Sequence, residues 1–417
     1  MGADDDTIPG HGFSTRAIRA ASRVPAVDQT PTAVPIYQSA TFSTEDADEL
    51  TEVTAGRVPG FVYSRLGNPT TAALADAYAE LAGGEAGATF ATGMAAVHAT
   101  LASLTGAGDR IVATSALYGS TRTLLDGLFT RFGVRTTFVD IRDHDAVAAA
   151  LSAEPAALLY AETISNPTIV IADHAALADL AHRHGARYVV DNTFASPYVC
   201  RPLELGADVV VESATKFIGG HSDVMGGVVA GDRATLAAIH KTHVDTGGTL
   251  APLAAFLILR GLQTLAIRMD RHSATALALA TWLESRPEVA AVAYPSLASH
   301  PQRMLAQRQL GSGGGMLAFD LAGGRHAGPR FIDALRVPER TASLGSVHTV
   351  VVHPPTTSHR QLDEAGLAAA GIGPGLLRCS VGLEDADDLI DDFGRALDAI
   401  RPTPATPALT APAASIG

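Results

Sequence analysis

Cysteine is almost absent from this chain: Cys200 and Cys379 are the only two in 417 residues. They are far apart and lack metal-type spacing, which argues against a disulfide framework or a metal site and leaves two buried thiols in a reducing cytosol as the plain reading. No run of about 18 apolar residues occurs, so no transmembrane helix is expected. The stretch Met1–Pro9 is acidic and lacks the basic and apolar parts of a signal peptide, so a cytoplasmic enzyme is expected. Basic residues are in deficit. Thirty Lys and Arg stand against 43 Asp and Glu, for a net charge of −13 with no basic stripe, and neither a nucleic-acid nor a membrane partner is expected. Two nucleotide signatures are missing as well: there is no G-x-x-x-x-G-K-[ST] and no G-x-G-x-x-G after a strand. No internal repeat stands out.

What is present is apolar and periodic. With 47% hydrophobic residues the chain can bury a sizeable core, and its length suggests two or three domains. Residues 1–63, with Pro25, Pro31 and Pro35, read as an extended arm whose first nine residues are disordered. From about Leu74 helix-like and strand-like segments alternate. Ala88–Phe90, Arg110–Ala113, Thr136–Val139, Ala157–Tyr160 and Tyr188–Val190 read as short buried strands, and His174–His184 as one of the intervening amphipathic helices. That alternation predicts parallel βαβ units in a sheet covered on both faces, with ligands at the carboxyl ends of its strands. A large domain over 64–260 is expected. The pattern changes in 261–401, where a long helix Leu262–Ser285, strands Met316–Asp320 and Leu376–Ser380, a helix near Phe331 and a helix Ala386–Ile400 predict a smaller α+β domain. Residues 402–417, rich in Pro, Ala and Thr, read as a disordered tail.

The apolar run Ala207–Glu212 delivers Ser213-Ala214-Thr215-Lys216 into the loop that follows. Two hydroxyls can hold a phosphate and the lysine can place an amine beside it, which suits a Schiff base with pyridoxal phosphate; a surface lysine after a strand is the simpler alternative. Asp191 ends the preceding apolar strand, where a carboxylate facing a pyridine nitrogen keeps it protonated and the ring acts as an electron sink. An Asp capping the next turn is the other reading. Thr92-Gly93-Met94 opens a helix through Ala95 to Ser103, and free N–H groups with a close-approach glycine make a phosphate cradle or merely a tight turn. Tyr118 could stack on a planar cofactor or sit in the core. Asn166 could donate to a phenolate oxygen or form a turn with Pro167. Arg378, inside an apolar strand, asks for a partner, either a bidentate substrate carboxylate or an internal salt bridge. His174, His182, His184, His353 and His359 read as solvated faces, and no metal site is expected.

Phe13-Ser14-Thr15-Arg16-Ala17-Ile18, Pro35-Ile36-Tyr37-Gln38-Ser39, Tyr63-Ser64-Arg65-Leu66-Gly67-Asn68-Pro69-Thr70, Ser213 to Gly220, and Arg378-Cys379-Ser380-Val381-Gly382-Leu383-Glu384-Asp385 occur in this order. Together they resemble the Cys/Met-metabolism family of pyridoxal-phosphate enzymes, which includes cystathionine γ-synthase, cystathionine γ-lyase, methionine γ-lyase and the homoserine-ester sulfhydrylases. The resemblance implies an α/β fold of fold type I, like aspartate aminotransferase, with a mostly parallel central sheet and a smaller C-terminal α+β domain. It implies a homotetramer built from two active dimers. It also implies that Lys216 carries the cofactor, Asp191 faces the pyridine nitrogen, Tyr118 stacks on the ring and assists proton transfers, and Gly93, Met94, Ser213 and Thr215 hold the phosphate. Tyr63 and Arg65 would reach the phosphate of the neighbouring subunit, and Arg378 with Ser343 and Asn166 would receive the substrate. The implied reaction is replacement or elimination at Cγ of a four-carbon amino acid, with a thiol or sulfide as the entering group in replacement. Ser120 stands where methionine γ-lyases usually carry Cys, and His348 where cystathionine-handling members carry Glu. Val351–His359 and Ser120-Thr121 look like the sulfhydrylases, whereas Gly220-His221-Ser222-Asp223-Val224 resembles the cystathionine enzymes.

Overall fold

A strand with apolar side chains on both faces can be hidden only inside a covered sheet, and β2 (Arg110–Thr114) and β4 (Leu158–Glu162) are buried at every position. The structure, a computed structural model, describes residues 29–360 and 363–401. By its internal contacts the chain divides between Pro35 and Ile36, and the fold described here is that of the part from Ile36 onward. The disorder expected in the first nine residues and the tail, and the segment Phe13–Ile18, lie outside the described residues.

With β1 (Ala86–Phe90), β3 (Arg135–Val139), β5 (Arg187–Asp191), β6 (Val209–Glu212) and β7 (Gly227–Gly231), β2 and β4 build a seven-stranded sheet ordered β1-β7-β6-β5-β4-β2-β3. Strands β2 to β6 run parallel, and β7 is antiparallel to both β1 and β6. Successive residues on a strand face opposite ways. Ile111, Leu158 and Val189 accordingly join one core with Ala96 and Leu101 of the helix Gly93–Leu104. Val112, Leu159 and Val190 join another with Leu177 and Ala181 of the helix His174–Arg183. Each Val, Leu or Ile among them contributes about 1.5–3 kcal/mol on full burial.

The second sheet holds β8 (Val289–Ala293), β9 (Met316–Leu321), β10 (Val350–Val352) and β11 (Leu376–Ser380) in the order β10-β11-β9-β8, all antiparallel. Phe319, Phe331 and Phe393 meet over it with ring centroids 5.4–6.1 Å apart, joining the sheet to the helices Ala327–Ala334 and Ala386–Ile400.

Several local expectations need correction. The helix placed at Leu262–Ser285 is Leu265–Glu284, and a separate helix, Pro252–Leu262, precedes it at a bend of 61°. Among the described residues no single helix is long and apolar enough to cross a membrane. His174 is not solvated: it lies in the first turn of a helix packed on the sheet, is completely buried, and its Nδ1 lies 2.9 Å from the Tyr188 hydroxyl. His353 and His359 are buried too, the first bonded to Thr356 and the Pro374 carbonyl, the second to Ser358. His182 does face outward, against Asp208. Cys200 and Cys379 are both buried and free.

Candidate active site

Three strand ends converge. β5 closes on Asp191, β6 runs into Ser213–Lys216, and β1 leads into the helix Gly93–Leu104. Thr92 caps that helix, its Oγ1 accepting from the Ala95 amide at 3.0 Å. A Cβ on Gly93 would come within 2.7 Å of Ser213 Cβ, so only glycine lets the helix start approach the lysine loop. A chain of short bonds ties these ends together: the Ser213 amide donates to Thr193 Oγ1 and the Thr193 amide to Asp191 Oδ1, each at 2.9 Å. The turn-capping reading of Asp191 is therefore met, and its location beside the lysine loop is met with it. Thr215 is engaged by the chain itself, its hydroxyl donating to the Gly226 carbonyl and accepting from the Gly226 amide. Met94 is half-buried and takes a contact from the Thr121 hydroxyl at 3.9 Å.

Lys216 Nζ donates to Ser343 Oγ at 2.8 Å. Burial, and then the nearby Arg378 guanidinium, lower this amine to about 8. Ser343 has φ of +126°, a conformation that non-glycine residues rarely hold, and its carbonyl accepts from Arg378 Nη2 at 2.9 Å. Arg378 Nη1 donates to Asn166 Oδ1 at 3.1 Å, and Nε has no partner among the described residues. Neither acceptor is a carboxylate, so the internal salt bridge is not what satisfies this buried cation. Burial lowers it to about 10.

Tyr118 is 39% exposed, so it is not a core residue. The Asn166–Pro167 peptide is cis, and Asn166 is buried. Tyr63 and Arg65 are both exposed; the guanidinium lies 5.5 Å from the Tyr63 ring centre, and Arg65 donates to the Val244 carbonyl rather than to the lysine loop. Ser120 and His348 are exposed as well.

Two acidic side chains end neighbouring strands, Glu162 on β4 in register with Asp191 on β5. Burial holds both carboxyls above their ordinary range, and the charge of Asp191 adds to the effect on Glu162. The sequence alone assigns Glu162 no role. The available signal was its place as the last residue of an apolar strand, the same place Asp191 occupies on the next one.

A model of the family described as Cys/Met metabolism PLP-dependent enzyme matches residues 14–398. The chain belongs to this family. Its relatives include the O-succinylhomoserine sulfhydrylase of Pseudomonas aeruginosa, 43% identical over 396 residues covering 95% of this chain and 98% of that protein. The L-methionine γ-lyase of Pseudomonas putida is also 43% identical, over 391 residues covering 93% and 98%. The crystal structure of cystathionine γ-synthase from Xanthomonas oryzae pv. oryzae, in complex with aminoacrylate and cysteine, superposes with a TM-score of 0.84 at 38% identity and covers 88% of this chain and 93% of that one. The fold is that of fold-type-I pyridoxal-phosphate enzymes, and the family is dependent on that cofactor.

The residues of this Cys/Met-metabolism enzyme fit pyridoxal phosphate. Asp191 is a carboxyl whose burial no cation among the described residues relieves, and a protonated ring nitrogen facing it would favour its charged form. The space that a Cβ on Gly93 would fill lies against the Ser213 side chain, at a helix start suited to an anion.

Proposed function

We propose that this trans-sulfuration enzyme replaces the leaving group on Cγ of a four-carbon amino acid, such as an O-acylhomoserine, with a sulfur nucleophile. One observation carries the amino-acid reading: Ser343 accepts from the Lys216 amine through its hydroxyl and from Arg378 through its carbonyl. An amine and a receptor for a carboxylate are thereby set on one residue, which matches the two groups on the α-carbon of a substrate.

In this reading Lys216 attaches the cofactor, Asp191 faces its ring nitrogen, and Tyr118 covers the ring. Gly93, Met94 and Ser213 hold the phosphate, with Thr215 shaping the loop through Gly226. When bound, pyridoxal phosphate supplies an electron sink for negative charge developing next to the α-amino group. Lys216, with an amine at about 8, is a competent base near neutral pH for the Cα proton. Arg378, steadied by Asn166, orients the substrate carboxylate, and Tyr118 assists proton movement at Cβ and the γ group. Arg65 and Tyr63, exposed together, serve the phosphate of a neighbouring copy, within a tetramer built from two active dimers.

Elimination, releasing a 2-oxo acid and ammonia, is the second reading; equal similarity to a methionine γ-lyase and to a sulfhydrylase favours keeping it. Purified protein should be yellow, and borohydride should fix the cofactor to Lys216; a colourless protein with no new absorbance on adding pyridoxal phosphate would sink the cofactor assignment. Incubation with O-acetylhomoserine, O-succinylhomoserine, cystathionine and methionine, each with and without sulfide or cysteine, then separates the reactions by product mass. A thioether or thiol product formed only with the nucleophile supports replacement. A 2-oxo acid formed equally without it supports elimination.

A further inference from the structure

Glu162 is absent from the roles given above, yet it touches both halves of the site. Its Oε1 accepts from the Tyr118 amide at 2.6 Å and its Oε2 from the Asn166 amide at 2.9 Å. The first amide belongs to the loop after β2 that presents the Tyr118 ring. The second belongs to the residue whose side chain accepts from Arg378. Burying a carboxylate beside a second acid is unfavourable, and an apolar strand end would serve packing better. Bonds to two backbone amides, one on each oxygen, offset part of that penalty. The carboxyl group of Glu162 thus joins the two loops as a sheet ladder would.

Resting on the reading above, we propose that Glu162 is a positioning residue: its carboxylate bridges the Tyr118 loop and the Asn166–Arg378 receptor, so that the ring cover and the substrate carboxylate are held in a single arrangement. Glu162 acts on the backbone of the two loops, through the Tyr118 and Asn166 amides, rather than on their side chains. Displacing either loop should therefore be felt by the other, because both hang from the two oxygens of one rigid group.

Glu162→Gln tests this with almost no change of shape. A carboxamide has one accepting oxygen, so one of the two amides must face an NH2 group instead. Two readouts independent of turnover apply to the protein carrying pyridoxal phosphate. One is the dissociation constant of L-norvaline, which has the amino and carboxyl groups but no leaving group, followed by spectral titration. The other is the visible circular-dichroism band of the bound cofactor, which reports on the ring environment. Norvaline binding is expected to weaken roughly tenfold or more, the size of a buried amide left without its acceptor, and the dichroic band is expected to change in the same variant. Either readout staying at its wild-type value would overturn the coupling. If Glu162→Gln does not fold, Glu162→Asp keeps both accepting oxygens on a shorter stem, and smaller shifts in both readouts together are expected; a shift in one alone overturns the proposal. Failure of the wild-type protein to take up pyridoxal phosphate would instead overturn the functional reading beneath it.

Discussion

Lys216 and Lys241 are the only lysines in the chain, and they sit in contrasting surroundings. Lys241 is exposed on a helix, whereas Lys216 is enclosed against Ser343 with Arg378 nearby. Burial and a neighbouring cation both disfavour the charged ammonium, so Lys216 is lowered to about 8. In cofactor-free protein, amine labelling at Lys216, read by peptide mass, should rise with a midpoint near pH 8. A midpoint at the ordinary lysine value of about 10.4 would contradict the enclosed geometry. Asp191 is legible as a candidate because it ends an apolar run, and Lys216 because it follows one by a few residues, both local patterns. Glu162 carried the same pattern without a role, because what it bonds are the amides of loops that only the folded sheet sets beside it. His174 misled for a related reason: a histidine on an amphipathic helix looks solvated until Tyr188 on the adjacent strand is seen to receive it.

At the scale of elements, the helix start at Gly93 and the loop Ser213–Lys216 form a pair that no added side chain can separate without loss. Gly93→Ala would set a Cβ 2.7 Å from Ser213 Cβ and 3.0 Å from its Cα, the second being backbone that cannot swing aside. Overpacking of this kind destabilises by about 1–3 kcal/mol. Thermal unfolding should register that loss, and equilibrium dialysis should show cofactor affinity falling roughly tenfold or more, as a phosphate-binding helix start is pushed away. An alanine variant with unchanged cofactor affinity would remove the helix start from the cradle. The parallel strands β2 and β4 were readable from their short apolar stretches Ile111–Ala113 and Leu158–Ala161. β7 was not: Gly227-Val228-Val229-Ala230-Gly231 is bounded by glycines that look like loop residues. Gly227 is in fact demanded by packing, since its Cβ would lie 2.3 Å from the Thr92 carbonyl oxygen, a contact with no trace in the local sequence.

Across the whole molecule, buried histidines link stability to acidity. Burial lowers His174 to about 3, and His243, His272 and His359 to about 4. The unfolded chain takes these protons first, near the ordinary value of about 6.5, so their contribution is complete above that pH and is lost as pH falls toward the folded values. Burial raises Asp191, Glu162 and Glu212, which tilts the profile the other way, so a single-histidine comparison carries the test. His174→Gln should be less stable than the parent at pH 7.5, but its stability should fall less steeply on acidification below about 6.5, by at most about 1.4 kcal/mol per pH unit. Denaturant unfolding at several pH values measures this, and parallel curves would show that His174 is not buried uncharged. The assembly has its own test. Arg65→Ala alone should retain cofactor poorly, and mixing it with Lys216→Ala should restore some activity through hybrid dimers that keep one complete site. No recovery, with subunit exchange confirmed by mass, would count against a site shared between copies.

The sequence by itself determined the chemical groups and the order in which strand ends deliver them: Asp191, then Ser213, Thr215 and Lys216, with Arg378 on a later strand. Short continuous apolar runs bounded by polar residues are a local signal, readable without knowing what packs on them. Only the tertiary structure decided that Ser343 meets Lys216 across 127 residues and that Asn166 meets Arg378 across 212. Such contacts follow from how loops beyond the strands of the large sheet pack on the second sheet, where Ile164 and Phe217 share a core with Ala318 and Leu376, and no residue near Ser343 or Asn166 in the chain encodes the partner it will meet. The pairing of β2 with β4 inside the large sheet gave Glu162 its two loops to hold.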